Sequence, residues 1–154
     1  MSKIIVTGVD GSDTALQAAK KAASYAIAFE AELHVLSAYA VNMTETIQSI
    51  RSRSLPGEAA SAYKSMVHDA AQEAERIAVS VAETLRNDFP NLTVLSRAVE
   101  GPPGAAISGE SERVGADLIV VGNKRVQGPT RILGSVARAI AAETDCDLLI
   151  VNTH

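Results

Sequence analysis

One stretch of the chain carries residue types arranged for phosphate chemistry: residues 118–136, LIVVGNKRVQGPTRILGSV. Leu118 to Val121 form the continuous apolar run expected of a parallel strand buried on both faces. Gly122 ends that run, and a loop with Gly128, Pro129 and the cations Lys124, Arg125 and Arg131 follows. Gly134 and Ser135 then precede Val136-Ala137-Arg138-Ala139-Ile140, a short helix with Ser135 at its N-cap. Buried strand, glycine-punctuated loop and helix start occur in that order where ligands bind an open α/β sheet, beyond the carboxyl ends of its strands. The unpaired N–H groups and positive dipole end of the helix suit a phosphate. The same glycines also turn a chain without any ligand, so the loop alone leaves both readings open.

The elements that must position this loop follow from apolar periodicity. Residues 3–9, KIIVTGV, read as a buried first strand, and Asp10-Gly11-Ser12-Asp13 as the turn, with Ser12 or Asp13 capping a helix. That helix places Ala15, Ala19, Ala22, Ala23, Ala26 and Ile27 inward, and alanine there lets it lie close to a sheet. A second strand covers 32–38, ELHVLSA. Residues 40–60 break the pattern with a polar connection containing Arg51 and Arg53. It reads as a lid over a ligand or, preferably, as an insert without structure of its own. A long helix over about 60–88 carries Val67, Ala70, Ala74, Ile77, Val81 and Leu85 on one face. Residues 92–98 form a third strand, and a turn at Glu100 to Gly104 leads into a short helix over roughly 104–113. The last strand spans Leu148 to Val151. Five strands alternating with helices require a mostly parallel sheet with right-handed crossovers and helices on both faces. The expected order is 3-2-1-4-5, a Rossmann-like open sheet whose switch point brings Asp10 beside Gly122.

Composition bounds the function. At 154 residues and 47% hydrophobic, the chain suits one domain over 1–154 with a single core. No apolar run reaches the ~18 residues of a membrane span, and Met1-Ser2-Lys3 leads straight into a strand, so a cytoplasmic protein is expected. A formal charge of −4 and 3% aromatics argue against nucleic-acid partners and for a small molecule or a protein. Cys146, the single cysteine, allows no internal disulfide and reads as a partly buried, inert thiol between Asp145 and Asp147. His34 reads as a strand side chain near the surface and His68 as a solvated one, neither with metal-ligand spacing. No serine stands in a nucleophile-elbow setting, and no Walker lysine is present.

The loop resembles the nucleotide motif of the universal stress protein family, G-x2-G-x9-G-[S/T], with Gly122 as its first glycine and Gly134-Ser135 as its closing pair. Arg125 replaces the second glycine, and eight residues rather than nine separate it from Gly134. IIVTGVDGSDTA, AELHVLSAY, GADLIVVGNK, LGSV and CDLLIV extend the resemblance over nearly the whole chain. The resemblance implies an adenine nucleotide, ATP or AMP, with or without Mg2+. It implies that Asp10 contacts adenine together with the backbone around Ala38, and that Gly122 and Arg125 border ribose and phosphate. Gly134, Ser135 and Val136 would hold phosphates, with Gly8, Val9, Asn123 and Ala137 as neighbours in the site. It also implies a homodimer through the last strand, Asp147 to Asn152, and a stress-response role without catalysis. A nucleotide-free dimeric interaction module of the same fold is the alternative, and an enzyme cleaving an adenylate or phosphate bond is a third class.

Overall fold

The computed structural model describes residues 2–41, 48, 58–124 and 133–153. Strands β1 (Lys3–Gly8), β2 (Ala31–Tyr39), β3 (Val94–Glu100), β4 (Leu118–Lys124) and β5 (Asp147–Thr153) alternate with helices α1 (Asp13–Ala28), α2 (Glu58–Asp88), α3 (Pro103–Val114) and α4 (Ser135–Glu143). The strands form one sheet in the order β3-β2-β1-β4-β5, every neighbouring pair parallel, as the alternation requires. β1 meets β4 from Ile5↔Leu118 to Thr7↔Val120, and this central pairing sets where the two carboxyl ends open.

Alternation along the central strands divides the core between two faces. Ile5, Leu33, Val35 and Val120 point toward α1 and α2. Val6, Leu36, Ile119 and Val121 point toward Ile107 of α3 and Ala137 and Ile140 of α4. Because both faces are covered, the central strands carry continuous apolar runs, Ile4 to Val6, Val35-Leu36 and Leu118 to Val121, with Thr7 and Ser37 buried beside them.

Helix α1 begins at Ser12, whose Oγ accepts the N–H of Ala15 at 3.1 Å, resolving the choice between Ser12 and Asp13 as the cap. Its inner stripe is Ala18, Ala19, Ala22, Ala23 and Ala26, all fully buried, and small side chains let the helix axis approach the sheet closely. Ile27, expected inside, is 45% exposed; it stands ~100° around the helix from Ala26 and misses the stripe. In α2 the buried face is Ala74, Ala78, Val81, Ala82 and Leu85, with Ile77 packed at its margin. Val67 and Ala70 are only partly buried. Strand β3 starts two residues later than its apolar pattern suggests, because Leu92 plugs the core from a turn in which its N–H donates to Phe89 O. Strand β4 runs beyond Gly122 to Lys124, since its ladder with β5 continues to Lys124↔Thr153. Much of the polar connection over 40–60 lies outside the described residues.

Candidate functional site

At the carboxyl ends of β1 and β4 the chain turns away on both sides, leaving a crevice. Asp10 follows β1, and its Oδ1 accepts the N–H of Ser12 at 2.9 Å, closing a turn in which Gly11 takes φ +86°. That conformation favours glycine. Val9 ties the turn to β2 by donating its N–H to Leu36 O at 2.8 Å. A Cβ on Gly8 would strike Ile107 Cδ1, so the bare backbone there lets α3 sit over β1. Gly122 has a similar reason to be glycine. A Cβ would stand 3.1 Å from Thr14 O and 3.2 Å from Ala18 Cβ, both on α1.

The crevice, about 160 Å³, is lined by Gly8, Val9, Asp10, Ala38, Gly122 and Val136, six of the residues expected at a site. Ser12, Thr14, Ala15, Pro103, Ile107 and Val121 complete its wall. Pro103 and Ile107 were not expected. Their signal was the crossover itself: α3 must return from the edge strand β3 across β2 and β1 to reach β4, which carries its first turns over the crevice.

Helix α4 supplies the other border. Its N-cap is Gly134 rather than Ser135, because Gly134 O already accepts the first intrahelical bond, from Arg138 N at 3.0 Å. Ser135 is therefore the first helical residue, exposed, while Ala137 packs into the core. No described side chain caps α4, and the N–H groups of its first turn carry the positive end of the helix dipole. Gly134 N–H instead donates to Asn123 Oδ1 at 3.2 Å. Asn123, Gly134, Ser135 and Ala137 stand at this border and do not line the cavity. Arg125, Gly128, Pro129 and Arg131 lie outside the described residues.

Away from the crevice, several titratable groups have structural partners. His34 Nε2 meets Glu32 Oε1 at 2.7 Å on β2, and His68 is exposed on α2. Glu110, 7% exposed, is held below the usual carboxylate range chiefly by its hydrogen bonds to Arg113, against its own desolvation and with help from Arg97. Burial pushes the Cys146 thiol up, and Asp147 and Asp117 add to it, which disfavours the reactive thiolate. Among the described residues no group of three or more His, Cys, Asp or Glu is placed to hold a metal ion. No described helix is long and apolar enough to cross a membrane. A roomier depression, about 590 Å³, runs beside β5 between α1 and the end of α2, past Lys20, Lys21, Tyr25 and Phe89. It lies away from the strand switch point and gathers none of the expected site residues, so the smaller crevice is the candidate site.

The model of the universal stress protein family matches residues 1–152. The chain belongs to the universal stress protein family. Universal stress protein MJ0531 of Methanocaldococcus jannaschii is 32% identical over 151 residues, covering 97% of this chain and 81% of the relative. Universal stress protein Rv1636 of Mycobacterium tuberculosis is 29% identical over 156 residues, covering 98% and 97%. A solved universal stress protein in complex with cAMP superposes with TM-score 0.67 at 27% identity, over 99% of this chain and 98% of that one. The universal stress protein fold is thus present along essentially the full described sheet, with its switch point at β1 and β4.

Proposed function

We propose that this universal stress protein binds an adenine nucleotide, ATP or AMP, in the crevice at the carboxyl ends of β1 and β4. In this reading it acts in the cytoplasm as a stress-response regulatory or interaction protein, by binding rather than by turnover. The observation that carries the reading is the convergence of Gly8, Val9, Asp10, Ala38, Gly122 and Val136, from four separate elements, on one cavity. Asp10 has one carboxylate oxygen committed to the Ser12 N–H, and the other suits the exocyclic amine of adenine. Ala38 and Ile107 give the base apolar walls. About 160 Å³ is below the ~300 Å³ at which ligand cavities usually begin, which fits a buried base with ribose and phosphate outside, toward α4. The similar protein that holds cAMP supports an adenine ligand. Magnesium, where it accompanies ATP, would be held by the phosphates, since Asp10 is the one carboxylate among the described residues that line the cavity.

Arg125 stands where the family motif has glycine, adding bulk where backbone should meet the ligand. Titration calorimetry with magnesium-ATP and AMP tests both points. Binding by the parent and tighter binding by Arg125→Gly are expected. Weaker binding by the variant would make Arg125 a phosphate ligand, and no binding by either form contradicts the nucleotide reading.

Assembly is proposed as a homodimer through β5. This strand is at the sheet edge, and Leu148 to Val151 are apolar yet only half-buried. A second copy pairing along that edge and filling the adjoining depression would cover them. The nucleotide-free dimeric module keeps one observation in its favour: packing against α1 already requires glycine at 122, whatever the crevice holds.

A further inference from the structure

Asn123 stands at a junction between the crevice and the sheet edge. It lies near the end of β4 and is half-buried. Its side-chain Oδ1 accepts the N–H of Gly134, the N-cap of α4, at 3.2 Å. Its main-chain oxygen accepts the Thr153 hydroxyl, at the end of β5, also at 3.2 Å. Thr153 is 3% exposed, so this carbonyl replaces water for a hydroxyl that would be costly to leave unpaired. The parallel ladder reaches the same place, with Asn123↔Asn152 and Lys124↔Thr153. Gly134 has no side chain with which to cap or steer α4, and Asn123 supplies the acceptor from eleven residues away. One residue therefore holds both the helix end that borders the crevice and the end of the edge strand.

We propose that Asn123 is a positioning residue that couples the nucleotide site to β5. It touches no nucleotide in this scheme, which rests on the reading of the crevice given above; it acts through Gly134. When the end of β5 is seated, the Thr153 hydroxyl fixes the Asn123 peptide, and the side chain of that residue fixes the direction in which α4 presents its first N–H groups. When the strand end lifts, the peptide is released and the aim of α4 is lost with it. The coupling is limited to the worth of about one hydrogen bond, roughly a three- to tenfold change in affinity.

The test uses the full chain, AMP as the probe, and the amide proton shift of Gly134 followed by NMR in the same samples. Thr153→Val removes the donor at nearly constant volume, and Thr153→Ser keeps it. Thr153→Val is expected to weaken AMP binding roughly three- to tenfold and to move the Gly134 amide upfield, as loss of its acceptor requires, with Thr153→Ser restoring both. Asn123→Leu should reproduce the loss, and the double variant Asn123→Leu/Thr153→Val should add little to it, because the two act along one route. Parental affinity and a parental Gly134 shift in Thr153→Val overturn the coupling, as do fully additive losses. If the parent binds no AMP, the nucleotide reading fails, and the Gly134 shift in Thr153→Val still decides the coupling: an upfield move supports it and an unchanged shift overturns it. Should Asn123→Leu not fold, the two Thr153 variants carry the same decision.

Discussion

At Asp10 one carboxylate oxygen closes the turn and the proposed adenine would take the other, so the two roles can be separated. Oδ1 holds the Ser12 N–H. Asp10→Asn keeps an acceptor for that bond but can present an amide donor to a donor on adenine. Asp10→Ala is expected to weaken ATP binding by ~1.5–3 kcal/mol, the scale of a hydrogen bond to a charged group, and to change folding stability by less. Asp10→Asn should lose most of the binding and almost none of the stability; calorimetry and denaturant melts on the same samples check this. Gly122 makes the opposite case. Its Cβ would press on Thr14 O and Ala18 Cβ, so Gly122→Ala should destabilise the ligand-free protein by ~1–3 kcal/mol in urea melts. An unchanged midpoint would show that packing does not require this glycine. Gly122 is legible in the sequence through its phosphate motif. Its contact with Thr14 is not, because that contact follows from how closely an alanine-faced helix lies on the sheet.

Among the elements, the long ones were legible and the ends were not. The alanine spacing announced α1, and the apolar runs announced the central strands, because burial on both faces of a parallel sheet leaves a plain pattern. Helix starts were harder. Ser135 looks like an N-cap by type, yet the cap falls on Gly134, where the backbone bond to Arg138 begins. The contribution of α3 to the crevice was not legible, because Pro103 and Ile107 reach it by the path of a crossover and carry no motif. Helix α3 is also anchored by Glu110, which is buried between Arg113 and Arg97. Its carboxyl titrates below its ordinary value of ~4.3. The unfolded chain therefore binds a proton before the folded one does. The contribution of Glu110 is complete above the ordinary value and is lost as pH falls through the folded value. Glu110→Gln should lower stability at neutral pH and make the acid loss of stability shallower than in the parent. An equally steep loss in both would mean that another carboxylate governs it.

Over the whole molecule, strand order does the positioning. Strands β1 and β4 are adjacent in the sheet but far apart in the chain, so the turn after one and the loop after the other face each other only because the crossovers reverse there. That convergence was legible from the alternation of elements. Of the three loop cations, Arg125 and Arg131 lie outside the described residues, whereas Lys124 ends β4. The edge strand makes its own prediction. Light scattering at micromolar concentration should give a dimer, and Ile150→Asp on β5 should return it to monomer with the sheet still folded by circular dichroism. A monomeric parent would contradict pairing through β5. An NMR titration of the uniformly labelled chain with AMP reads residue by residue whether adenine nucleotide occupies the β1–β4 crevice. Saturable shifts concentrated at Gly8 to Ser12, Ala38, Gly122, Asn123 and Ser135 to Ala137 are expected. Absence of shifts at millimolar AMP, or shifts confined to the Lys20, Tyr25 and Phe89 depression beside β5, would contradict it.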